Sequence, residues 1–94
     1  MNIMQLVSAV NAARAREDHL YRSSPEIEKG IMASPVIIFQ FNGYRFQTEL
    51  PYSLRLTKGS VLDHLNRKCY LLTSGKSKRK VTFRETLAGD IAWS

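Results

Sequence analysis

Three side chains in this chain have the chemistry of soft metal ligands or nucleophiles: His19, His64 and Cys69. Structural zinc sites need such ligands at close, repeated spacings, and these three do not recur in that way. His19 stands among Arg16, Glu17 and Asp18 on a helix end. His64 follows Asp63 on a short helix, where sequence neighbours point in different directions and do not orient one another. Both read as satisfied surface or boundary histidines. Cys69 opens a strand and reads as a small core hydrophobe. There is no Gly-rich phosphate loop, nucleophile elbow or paired-carboxylate motif. The residues therefore assign no catalytic group, no metal site and no cofactor. One enzymatic alternative is a small toxin-like ribonuclease in which His64, Arg84, Arg45 and Tyr70 converge on a scissile phosphate. Nothing in their spacing requires them to meet.

Charge carries more information than any single residue. Residues 1–50 hold five basic and five acidic residues, which cancel. The formal net charge of +6 arises entirely from the second half, where Arg55, Lys58, Arg67, Lys68, Lys76, Lys78, Arg79, Lys80 and Arg84 are opposed within their own span by Asp63 alone. Such one-sided segregation recruits polyanions: nucleic acid or an acidic protein face. The run Lys76, Lys78, Arg79, Lys80 is its densest part. It is expected on a loop between two strands, where it would grip phosphates without reading bases, with the other five extending the footprint. Tyr70 and Tyr52 are candidates for stacking on single strands. The plainer reading of the basic loop is a solvated hairpin tip that protects a sheet edge.

The element that must position these groups is VIIFQFNGYRFQTEL, residues 36–50. Asn42-Gly43 readily takes the two positive φ values of a type I′ turn, which sets the register. Phe41 then faces Tyr44, Phe39 faces Phe46 and Ile37 faces Thr48 on an apolar side. Gln40 with Arg45, Ile38 with Gln47 and Val36 with Glu49 take the other side. Pro35 and Pro51 bracket the hairpin. An isolated hairpin is marginal, so the aromatic side needs a cover. Ile3, Leu6, Val7, Val10 and Ala13 form a helical stripe that supplies one, over about residues 3–20, with Asn2 as N-cap.

Ser24, Pro25 and Gly30 delimit a short second helix that reads as a connector. As the recognition helix of a helix-turn-helix it would turn Glu26 and Glu28 toward phosphates. Residues 52–57 alternate and suggest a third strand. A short helix over VLDHLNRK follows, with Ser60 and Asp63 as an acidic variant of the capping box. Cys69–Thr73 and Val81–Leu87 read as a second hairpin. A turn at Gly89-Asp90 and a closing strand ending near Trp93 complete the chain, with Trp93 as a core plug.

The fold class is therefore α+β, residues 1–94 forming a single domain: an N-terminal helix on an antiparallel sheet of four to five strands built from hairpins, with one or two short extra helices. A lone cysteine excludes an intramolecular disulfide framework, no apolar run is long enough to span a bilayer, and the N-terminal residues lack a basic lead. The expected location is the cytoplasm. The functional expectation is a small non-enzymatic binding or regulatory protein of nucleic-acid transactions, docking DNA, RNA or a nucleoprotein complex through its basic half. The alternative is a modulator or inhibitor, of phage or plasmid accessory type, seated on an acidic surface of a nucleic-acid-handling enzyme. No membrane partner is expected.

Overall fold

The computed structural model describes residues 1–21, 35–51, 53–75 and 77–94, with side chains described only as far as residue 16 in the first helix. Strands β1 (Val36–Phe41) and β2 (Tyr44–Glu49) form the expected hairpin, with Phe39 opposite Phe46 and Ile37 opposite Thr48. Asn42 and Gly43 take φ values of 55° and 81°, the left-handed pair that a two-residue turn matching strand twist requires. Ile37, Phe39, Phe41, Phe46 and Thr48 are buried, whereas Val36, Ile38, Gln40, Arg45 and Glu49 are exposed.

Helix α1 (Ile3–Tyr21) packs on β1 and buries Ile3, Leu6, Val10 and Ala13. Its start is closed reciprocally. Gln5 N–H donates to Asn2 Oδ1 at 3.0 Å, and Asn2 N–H donates to Gln5 Oε1 at 2.7 Å, satisfying two amides that the helix leaves unpaired. Where the apolar stripe is interrupted, Arg14 reaches the carbonyl of Leu54 at 2.6 Å and Arg16 reaches that of Ile38 at 3.1 Å. The second contact covers an outward-facing carbonyl on the β1 edge. The expected helix between Ser24 and Gly30 lies outside the described residues, as do Tyr52, Lys76 and the His19 side chain.

Residues 53–57 are not a strand. Leu54 N–H closes a turn onto Pro51 O, and the carbonyls of Leu54 and Arg55 are taken by Arg14 and Ser60, so no ladder is needed to satisfy them. Leu54 and Leu56 still pack against the core. Helix α2 (Lys58–Lys68) begins earlier than expected, and its capping box is Thr57 with Ser60 rather than Ser60 with Asp63. Ser60 N–H donates to Thr57 Oγ1 at 3.2 Å and Thr57 N–H to Ser60 Oγ at 2.9 Å. Asp63 instead pairs with Arg67 one turn on, at 3.0 Å. Both side chains are largely exposed, so the pair is worth only a few tenths of a kcal/mol, in order of magnitude.

Strand β3 (Cys69–Leu72) leaves α2 directly and pairs antiparallel with β2, placing Leu71 opposite Phe46 and Cys69 opposite Thr48. The basic run is not a loop tip: Lys78–Lys80 is itself strand β4, hydrogen-bonded to β3 at the sheet edge. The turn before it is narrower than expected, with Thr73 N–H and Oγ1 both donating to Ser77 O. The order β1-β2-β3-β4 completes a four-stranded sheet. Strands β5 (Phe83–Glu85) and β6 (Ile91–Trp93) form a separate two-stranded sheet around the turn containing Gly89.

Phe46 is the hub of the core. Its ring lies 5.5 Å from Phe39, 5.3 Å from Phe83 and 5.4 Å from Trp93, in the stacked and edge-to-face geometries that aromatic quadrupoles favour. Trp93 is half-buried rather than a full plug, since Tyr44 and Arg79 cover it at the surface. The result is an α+β fold in which both described helices, β5 and β6 serve one core, and among the described residues no element packs on the other face of the four-stranded sheet. Among the described residues no helix is long and apolar enough to cross a membrane.

Candidate polyanion-binding surface

Alternation along the sheet decides which basic residues meet. Leu71 and Cys69 point into the core, so Tyr70 and Leu72 face outward beside Gln47 and Arg45. On β4, Lys80 pairs with Tyr70 and Lys78 with Leu72, which puts both lysines on this open face. Lys78 Nζ lies 5.3 Å from the Tyr70 ring centroid, within cation–π range. Arg67 and Lys68 arrive from the end of α2, immediately before β3. Lys80 Nζ donates to Asn66 O at 2.8 Å, setting a cation on the negative end of the α2 dipole.

Beside Lys80 lies a depression of about 470 Å³ lined by Gln47, Thr48, Glu49, Arg67, Lys68, Tyr70 and Lys78. Among the described residues, neither Lys68, Lys78 nor Lys80 is ion-paired with a carboxylate, while Arg67 is held by Asp63. Among the described residues, Glu49 contributes the one carboxylate to the lining.

Other basic residues lie elsewhere. Arg79 is on the opposite side of β4 from its neighbours, 5.9 Å from the Trp93 ring centroid. Arg84 is exposed on β5, opposite Ala92 in the small sheet. Arg55 and Lys58 precede or open α2, and nine residues at 1.5 Å rise put Lys58 about 14 Å along the axis from Arg67. Lys76 is outside the described residues. The eight described basic residues thus divide into a cluster of Arg67, Lys68, Lys78 and Lys80 and the outliers Arg55, Lys58, Arg79 and Arg84.

Neither His64 nor Cys69 joins this surface. His64 is buried below the sheet, its Nε2 against Glu49 O and 3.3 Å from Thr48 Oγ1. A carbonyl only accepts, so Nε2 carries the proton. Thr48 Oγ1 in turn donates to Lys68 O at 2.6 Å. The histidine is therefore a satisfied core group rather than the surface or boundary residue expected. It ties α2 to β2 and fixes where Lys68 emerges. Arg45 and Tyr70 lie on the opposite face of the sheet, and the four residues of the ribonuclease constellation share no surface. Cys69 is fully buried, and burial pushes its thiol from 9.0 up to about 12 against the opposing influence of Lys80.

Gln47 and Glu49 belong to the depression; the hairpin register places them on the outer face, but neither carries the positive charge that marks a polyanion site in sequence. The missing piece was the β2–β3 pairing, for which the alternation of Cys69, Tyr70, Leu71 and Leu72 is the available signal. Comparison of the chain with family models, curated proteins and solved structures finds no match in any of the three.

Proposed function

We propose that this protein is a non-enzymatic docking module of nucleic-acid transactions, acting in the cytoplasm, that takes a polyanion on the open sheet face. The observation that carries the reading is the convergence of Lys68, Lys78 and Lys80, from two separate elements, on one face with no described carboxylate paired to them. Cations gathered in this way bind phosphates by releasing condensed counterions, which is a sequence-independent and salt-sensitive mechanism.

The test is fluorescence anisotropy of labelled DNA and RNA across a salt series. Three phosphate contacts give a log–log slope of about −2 to −3, since each contributes about 0.7 on single strands and about 0.9 on duplex. Absence of binding to both DNA and RNA at low salt overturns the proposal.

A second reading, a regulator seated on an acidic groove of a larger nucleic-acid-processing enzyme, is favoured by a different patch. Tyr44 is 49% exposed, stands 4.9 Å from Trp93 and shares that ring with Arg79. Tyr, Trp and Arg are the residue types that dominate protein–protein hot spots. Retention of one partner from lysate after nuclease treatment, abolished by Trp93→Ala, is the result this reading requires.

A further inference from the structure

Among the described residues, Tyr70 is the one aromatic ring lining the basic depression, and its position bears on a narrower ligand than a generic polyanion. The ring stands between Gln47 of β2 and Lys80 of β4 in the same cross-strand row. It is half-buried, so its base is fixed by the sheet while part of the phenol remains accessible. Lys78 covers it at 5.3 Å, Lys68 and Arg67 rise from the end of α2, and Glu49 stands on the same face two residues beyond Gln47.

We infer that this depression holds one nucleotide of a single-stranded nucleic acid, with the base stacked on Tyr70 and the flanking phosphates on Lys68 and Lys78. The inference rests on the polyanion reading above and specifies its ligand. Three features support it. A base in a duplex is stacked on both faces by its neighbours and cannot present one to a ring recessed in a sheet, whereas an unpaired base can. A lysine is a point charge on a flexible stem, so Lys78 can swing from the Tyr70 ring to a phosphate when a base takes its place. Glu49 repels phosphate, yet its carboxylate and the Gln47 amide are suited to the amino, imino and hydroxyl groups of a base or sugar. A volume of about 470 Å³ accommodates a nucleotide.

The test uses the whole chain and three unlabelled competitors of equal length against a fluorescein-labelled single-stranded oligonucleotide at low salt: the single strand itself, an abasic strand with the same phosphates, and a blunt duplex. The single strand is expected to compete at least about fivefold better than the abasic strand, because stacking contributes about 1–3 kcal/mol per base. Tyr70→Ala removes that advantage while Tyr70→Phe keeps it, and circular dichroism verifies the fold of both. Equal competition by abasic and normal strands, or an unchanged advantage in Tyr70→Ala, overturns the inference and leaves the polyanion reading standing. No binding of the labelled strand or the duplex overturns both.

Discussion

Asn66 holds Phe83 by two hydrogen bonds, its Nδ2 donating to the Phe83 carbonyl at 3.0 Å and its Oδ1 accepting from the Phe83 amide at 2.6 Å. One side chain on α2 thereby substitutes for a neighbouring strand and docks the small sheet. The same residue's carbonyl accepts from Lys80, so the core side and the basic face share a single anchor.

Asn66→Ala leaves both Phe83 backbone groups without their partner and is expected to cost about 2 kcal/mol in chemical denaturation. Asn66→Asp retains the acceptor and loses the donor, so its cost falls between. Equal stability of Asn66→Ala and wild type would show that water replaces the side chain.

At the hairpin turn, Gly43 has φ of 81° with open space where a Cβ would stand. Gly43→Ala therefore introduces no clash, only the strain of a left-handed alanine, about 1–2 kcal/mol. Denaturation midpoints of this variant and of Gly59→Ala separate the two cases, since Gly59 lies in a helix without positive φ and gains propensity instead.

Cys69 makes stability fall at alkaline pH. Below pH 9.0, its ordinary value, folded and unfolded chains both carry the proton; between there and about 12 the unfolded chain releases it first. The unfolded state then binds fewer protons, so folding weakens as pH rises through that window. Urea midpoints at about pH 8 and about pH 10.5 should differ more in wild type than in Cys69→Ala, which lacks this titration. A maleimide should label the native thiol far more slowly than the unfolded one.

The division of the basic residues predicts unequal effects from equal changes in charge. Lys68→Glu with Lys78→Glu should reduce nucleic-acid affinity at low salt by about a hundredfold or more, and reduce the salt slope by about two. Arg55→Glu with Lys58→Glu makes the same change in net charge at the far end of α2 and should cost less than about fivefold. Equal losses would mean that total charge, not the cluster, drives binding.

Local chemistry was legible from residue types alone. Asn42-Gly43 determines a register that period-two alternation extends to Val36 and Glu49, and Asn2 with the stripe from Ile3 to Ala13 determines the first helix. Each depends on neighbours within a few residues, whose geometry the backbone restricts. The β2–β3 pairing was not legible, because α2 separates its strands and the choice of partner rests on burying Leu71 and Cys69 against Phe46 and Thr48. For the same reason the run Lys78–Lys80 did not declare itself a strand: a ladder is made by backbone groups and is indifferent to the charge they carry.

Sequence by itself determined that an aromatic hairpin would seed an α+β core and that the positive charge would lie in the second half. Only tertiary structure decided which of those charges act together. Strand alternation turns Lys78 and Lys80 to one face and the equally exposed Arg79 to the other, the length of α2 carries Lys58 away from Lys68, and the buried His64–Thr48–Lys68 chain sets the point where that helix delivers its last lysine. Proximity along a chain fixes composition, but the potential at a surface depends on distance in space, and distance is set by how the core packs.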